Sequence, residues 1–129
     1  MLRGCGALNR TLRVKKPWGF FDQFTLNEPS TVKILTVNPH QRLSLQSHRQ
    51  RQELWVFLDK DLIAEIDGRK TKFSPNEQAF ISKGTEHRLI NDSDHVARVL
   101  EISFGPFDEN DIVRHEDDYG RVPSGKTHR

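Results

Sequence analysis

The sequence predicts an all-β domain, an antiparallel sandwich or a small barrel. Three observations carry that prediction. Runs rich in β-forming residues recur roughly every 8–12 residues. Turn-forming residues stand between them, and no long stretch shows the apolar spacing of an amphipathic helix.

Taken in order, the run Thr31–Val37 ends at the turn pair Asn38-Pro39, and Arg42–Gln46 follows it. Glu53–Leu58 ends at Asp59-Lys60-Asp61 and Leu62–Ile66 at Asp67-Gly68. Lys70–Phe73 ends at Ser74-Pro75-Asn76 and Gln78–Ser82 at Lys83-Gly84. His87–Ile90 ends at Asn91-Asp92-Ser93-Asp94, and Val96–Phe104 is the last long run. Asp67-Gly68 is the clearest hairpin signal, because a tight primed turn needs positive φ that Gly takes without strain. One short helix is expected over Asp108–His115. The stretches 1–13 and 122–129 hold few apolar anchors and are expected to be mobile, leaving 14–121 as the domain.

Composition narrows the functional classes. At 129 residues the chain fits one core. Twenty Lys and Arg against eighteen Asp and Glu leave a formal charge of +2, which provides no broad positive field for nucleic acid. The longest apolar run, Trp55-Val56-Phe57-Leu58, is far below the ~20 residues needed to cross a bilayer. Arg3, Arg10 and Arg13 are followed by no apolar stretch, so no secretory signal is expected. Cys5 is the only cysteine, which excludes an intramolecular disulfide and a multi-cysteine zinc site. The expectation is a cytoplasmic protein with no membrane and no nucleic-acid partner. Charge is nonetheless uneven. Bases dominate up to Lys16, and Asp108, Glu109, Asp111, Glu116, Asp117 and Asp118 surround the lone base Arg114.

If the run Arg42–His48 is a regular strand, Leu43 and Leu45 lie on one face and Arg42, Ser44, Gln46 and His48 on the other. In an open sheet that polar face meets solvent; in a small barrel it lines a ligand-bearing interior. Glu53 follows across a bend at 49–52, and His87 follows the turn Lys83-Gly84-Thr85. Two imidazoles, a carboxylate and an amide oxygen make a mixed N/O shell able to hold a divalent ion with positions left for a substrate. Gln46, His48, Glu53 and His87 are therefore the candidate metal ligands.

These residues carry a resemblance. The stretch Arg42-Leu43-Ser44-Leu45-Gln46-Ser47-His48, continued by Arg51, Glu53 and Trp55, resembles the first metal motif of the cupins, in their type II mannose-6-phosphate isomerase branch. The segment from Phe80 to His87-Arg88-Leu89-Ile90-Asn91 resembles the second motif. Lys16-Pro17-Trp18-Gly19 looks like the family's opening, and Glu116-Asp117-Asp118-Tyr119-Gly120-Arg121 like its closure. The resemblance spans about 14–121 and implies a cupin, a double-stranded β-helix or jelly-roll barrel. Gln50, Leu54 and Ser82 depart from the family pattern, and Asp59-Lys60-Asp61 lacks its usual turn glycine.

The resemblance implies a metal-dependent isomerase interconverting mannose 6-phosphate and fructose 6-phosphate through an enediolate. One divalent ion is implied, zinc first, with manganese, cobalt or iron accommodated by the same donors. Glu53, Glu101 and Arg51 are the catalytic candidates. A planar guanidinium fork suits phosphate oxygens, so Arg42 is the first candidate for the substrate phosphate, with Lys33, Arg88, Arg121 and Arg51 after it. Trp18 and Trp55 are candidate pocket walls. Two alternatives are a non-catalytic sugar-phosphate or nucleotide-sugar binding cupin, and an iron-dependent cupin oxygenase, which favours histidine where Gln46 stands. The family also forms part of bifunctional proteins that make GDP-mannose. No Gly-rich nucleotide segment precedes the cupin motifs here, so guanylyl transfer is not expected of this chain. The resemblance and the need to cover sheet edges together imply a homodimer, with the N-terminal segment a candidate exchanged arm.

Overall fold

The computed structural model describes residues 2–4 and 11–122, and among these there are thirteen strands and no helix. The strands are β1 (Leu2–Gly4), β2 (Leu12–Lys16), β3 (Gly19–Gln23), β4 (Ser30–Val37), β5 (Gln41–Arg42), β6 (Leu45–Ser47) and β7 (Gln52–Phe57). Then come β8 (Leu62–Ile66), β9 (Arg69–Lys72), β10 (Gln78–Ile81), β11 (His87–Asn91), β12 (Ala97–Phe104) and β13 (Val113–Glu116). One sheet runs β1-β10-β7-β12-β4 and the other β13-β6-β11-β8-β9, with β5 also paired to β11. β2 and β3 form a hairpin of their own. No described helix is long and apolar enough to cross a membrane.

The main core lies between the sheets, where Trp55, Phe57, Leu62, Phe73, Leu89 and Val99 are buried together. Phe57 and Phe73 stack there, 4.3 Å between ring centroids. A second apolar cluster of Leu54, Val56, Phe80, Ile102 and Phe104 includes the alternate residues of β7 and β12. β7 is thus buried on both faces, which is why Glu53–Leu58 reads as an unbroken apolar run after its first residue.

The predicted hairpin forms at Asp67-Gly68, both at positive φ (51° and 79°), joining β8 to β9. Where the family glycine is missing, Asp61 itself adopts φ 75°. The helix expected over Asp108–His115 is not there. Residues 108–111 form a turn, closed by Asp111 N–H donating to the Asp108 carbonyl, and Val113–Glu116 pairs as β13 with β6. Pairing to a neighbouring strand outweighs the weak local preference of that acidic run. The expected mobile ends fall largely on residues 1, 5–10 and 123–129, which lie outside the described residues, as does Cys5; Leu12 and Arg13 belong to β2.

A candidate metal centre in the barrel

The Arg42–His48 run is not one regular strand. β5 ends at Arg42, Leu43 donates its N–H to the Leu89 carbonyl, and β6 starts at Leu45. The break shifts the alternation. Leu43 lines the central cavity with Gln46 and His48, while Arg42 points away from it and pairs with Asp118 at 2.7 and 2.9 Å. The single polar face expected for Arg42, Ser44, Gln46 and His48 is corrected accordingly.

The cavity holds about 450 Å³ and is lined from both sheets. Lys33, Glu53, Trp55 and Glu101 come from the first; Gln46, His87 and Arg114 come from the second. His48 and Arg51 stand on the bend between β6 and β7. Phe107, Glu109, Asn110 and Ile112 cross the mouth.

His48, Glu53 and His87 converge, with one ligand atom from each lying within 4.8 Å of the others. His87 Nε2 is 3.1 Å and His48 Nε2 3.7 Å from Glu53 Oε1. Ligands at about 2.0–2.2 Å from a tetrahedral ion stand about 3–3.5 Å apart, so the spacing suits a shared ion. Both outer nitrogens are committed: His48 Nδ1 lies 2.7 Å from the Asp111 carbonyl, and His87 Nδ1 2.8 Å from that of Thr85. A carbonyl only accepts, so each Nδ1 donates its N–H outward and each ring turns its Nε2 toward Glu53. That is the orientation metal-binding histidines take.

Glu53 is divided in the same sense. Oε2 accepts from Arg51 Nε at 3.2 Å and from Ser103 Oγ at 3.4 Å, whereas Oε1 is buried and accepts no hydrogen bond. A buried carboxylate oxygen without a donor is costly and calls for a cation. Burial works against ionisation of Glu53, but His87, His48 and Arg51 around it hold its pKa well down. Burial lowers the His48 pKa, favouring the neutral ring. Gln46 pairs in register with His87 and donates its amide nitrogen to Ser44, leaving its carbonyl oxygen as the available donor atom. The donor set fits a divalent ion.

Glu101 has a different environment. It stands in register with Trp55 on one side and Lys33 on the other, and Trp55 Nε1 donates to its Oε2 at 3.0 Å. Burial, together with the charge of Glu53, raises its pKa.

The cations divide into two groups. Arg42 and Arg121 lie outside the cavity, paired with Asp118 and Asp117. Arg88 borders it but donates to Glu65 at 3.0 Å and Glu116 at 2.7 Å. Arg51 is committed to Glu53, to the Asp108 carbonyl and, through Nη2 at 3.4 Å, to His48 Nε2, and its guanidinium lies 4.4 Å from the Phe107 ring centroid. Lys33 lies over the same ring, also at 4.4 Å. Trp55 walls the cavity, whereas Trp18 is 72% exposed on the β2–β3 hairpin and does not. Arg114 was not singled out by sequence reasoning. It stands in register with Gln46 at a bulge in β13, and bulges re-aim side chains. Its one signal was being the lone base in an acidic run. The departures Gln50 and Leu54 do not reach the cavity: Gln50 is exposed and Leu54 packs in the second apolar cluster.

Comparisons with known proteins agree with this geometry. Residues 6–117 match the family described as mannose-6-phosphate isomerase C-terminal. The chain is 36% identical over 110 residues to the mannose-1-phosphate guanylyltransferase ManC of Salmonella typhimurium, covering 84% of this chain and 23% of that protein. It is 34% identical over 111 residues to the xanthan biosynthesis protein XanB of Xanthomonas campestris, covering 85% and 24%. It therefore spans about a quarter of the length of these relatives. A cupin-superfamily sugar phosphate isomerase from Silicibacter pomeroyi superposes with a TM-score of 0.58 at 16% identity, covering 74% of this chain and 72% of that one. Fold, ligand geometry and sequence thus point the same way, and the chain belongs to the mannose-6-phosphate isomerase C-terminal family of cupins.

Proposed function

We propose that this chain is a metal-dependent isomerase interconverting mannose 6-phosphate and fructose 6-phosphate. The observation that carries the reading is the pairing, in one cavity, of a buried Glu53 Oε1 that accepts no hydrogen bond and faces two inward imidazole nitrogens with a second carboxyl, Glu101, whose pKa is raised. His48, Glu53, His87 and Gln46 would hold one divalent ion, zinc first. Such an ion supplies positive charge where negative charge develops on the sugar oxygens.

The remaining work falls to the chain's own groups. Aldose–ketose exchange removes the proton on C2, passes through an enediolate, and returns a proton to C1, while a hydroxyl proton moves between O1 and O2. A ligating carboxylate of low pKa is a poor base. Glu101, held at Oε2 by Trp55, is better matched to taking and returning the carbon-bound proton. Arg51 orients Glu53 through Oε2. Lys33 and Arg114, two of the four lining cations and on opposite sheets, take the phosphate end in place of Arg42, whose fork is filled by Asp118. The mouth segment around Phe107 limits access of water. A phosphorylated sugar does not cross membranes unaided, which fits the reading with work in the cytoplasm. Because Gln50 and Leu54 lie away from the cavity, those two departures lend no support to a binding-only cupin.

The test is a coupled assay for fructose 6-phosphate made from mannose 6-phosphate by the zinc-loaded chain. Turnover abolished by chelation is expected, with Glu101→Gln slower by about 10²-fold or more and its zinc content unchanged. Tight mannose 6-phosphate binding with no turnover on zinc, manganese, cobalt or iron would overturn the reading in favour of a binding module.

A further inference from the structure

The mouth segment 105–112 is fastened to the bend joining His48 to Glu53, and the fastening is specific at both ends. At its start Gly105 has φ +106°, and a Cβ there would stand 2.8 Å from the Gln50 carbonyl oxygen, so the segment lies directly on that bend. At its end Asp111 makes four bonds. Its Oδ1 and Oδ2 accept the backbone N–H groups of Arg49 and Gln50, each at 2.9 Å. Its carbonyl lies 2.7 Å from His48 Nδ1, and its own N–H donates to the Asp108 carbonyl at 2.9 Å. That Asp108 carbonyl also accepts Arg51 Nη1 at 3.2 Å.

We propose that Asp111 is a positioning residue that couples closure of the mouth segment to the metal-ready tautomer of His48. The inference rests on the metal-centre reading and not on the identity of the sugar. Its physical basis is the carbonyl. While the segment is docked, the Asp111 carbonyl accepts the Nδ1 proton of the buried His48 ring, and Nε2, with Arg51 Nη2 3.4 Å from it, faces Glu53 as an acceptor. If the carboxylate releases Arg49 and Gln50, the carbonyl moves with it, Nδ1 loses its acceptor, and a proton on Nε2 opposes metal binding. The coupling is reciprocal, because whatever favours a bare Nε2 also favours the docked segment. His87 offers an internal control: its acceptor, Thr85, lies two residues away and outside the mouth segment.

The experiment compares the full chain with Asp111→Ala and Asp111→Asn, using zinc alone as the probe. Competition with a chromophoric chelator is expected to show zinc affinity lower by about 10–100-fold in Asp111→Ala, the range for lost outer-shell partners. Asp111→Asn, which keeps one acceptor oxygen, should lie between. In the metal-free protein the slowly exchanging Nδ1–H resonance of His48 should vanish in Asp111→Ala while that of His87 persists, a split that general destabilisation does not produce. Unchanged zinc affinity, or loss of both imidazole signals together, overturns the proposal. Should Asp111→Ala fail to fold, hydrogen exchange on the unsubstituted chain decides: zinc must slow the amides of Arg49, Gln50 and Asp111 together, by tenfold or more, and no change sinks the coupling. No zinc binding by the unsubstituted chain fails the metal-centre reading as well, which separates the two failures.

Discussion

At the scale of single residues, the two buried carboxyls differ by their neighbours. Glu53 lies among His87, His48 and Arg51, whereas Glu101 lies against the charge of Glu53. The consequence for Glu101 has a definite sign. Its folded pKa is raised above the ordinary 4.5, so the folded chain holds that proton more tightly than the unfolded chain. Stability from this group is complete below about pH 4.5 and is lost as pH rises through the folded value. Glu101→Gln keeps the acceptor for Trp55 and sheds the charge. Its Tm should exceed that of the unsubstituted chain by a few degrees at pH 8, with the gap shrinking towards pH 4. Thermal melts at the two pH values check this, and an equal gap at both would contradict it. His48→Ala and His87→Ala should each lose zinc binding by more than about 10²-fold while leaving a folded barrel, measurable by metal analysis after dialysis.

At the scale of elements, the alternating strands were legible because side-chain period and turn residues agree. The runs predicted from Thr31 to Phe104 reappear within a few residues of their expected bounds, except Arg42–Gln46, which is split between β5 and β6. The hairpin β2–β3 was not legible as strands: Leu12 and Arg13, with few apolar anchors before them, read as the end of a tail, and Val14, Lys15 and Lys16 as the opening of the domain. β13 was missed because its pairing with β6 is set by the fold and not by its own composition. The site was read in part. Motif spacing put His48, Glu53 and His87 together, but Arg42 was placed with them by assuming a regular strand, and the break at Leu43–Ser44 turns it outward. No periodicity rule announces such a break. Gly105 makes the element-scale prediction. Ala there meets both a left-handed φ and the Gln50 carbonyl, so Gly105→Ala should cost about 2 kcal/mol or more and weaken zinc binding along with it. A denaturant titration with and without zinc measures both, and a loss under 0.5 kcal/mol would show that the segment yields freely.

At the scale of the whole molecule, apolar surface is concentrated at one end of the chain. Trp18 is 72% exposed, Leu26 65%, and Leu12, Val32 and Ile34 each 56%. Among the described residues the β2–β3 hairpin pairs with no other strand, and a two-stranded ribbon is marginal in water by itself. β4, which carries Val32 and Ile34, is an edge strand of the first sheet. Edge strands and apolar patches of this kind are covered in working proteins. Charge offers a reason for the cover to be a second copy: the hairpin carries Lys15 and Lys16. Of the six acids in residues 108–118, Glu116, Asp117 and Asp118 are held by Arg88, Arg121 and Arg42 and Asp111 by backbone N–H groups, which leaves Asp108 and Glu109 to meet a second copy's lysines. A homodimer in which the hairpin of one copy met the mouth segment of the other would cover the apolar surface and bring those charges together, and salt should loosen it. The chain should sediment as a dimer at micromolar concentration in low salt. Trp18→Ser combined with Lys16→Glu should shift it to monomer without lowering zinc affinity, since neither side chain lines the cavity. A monomer from the unsubstituted chain at every concentration up to about 100 μM, a Kd worth only about 5.5 kcal/mol, would leave the hairpin to some other cover and remove the charge argument with it.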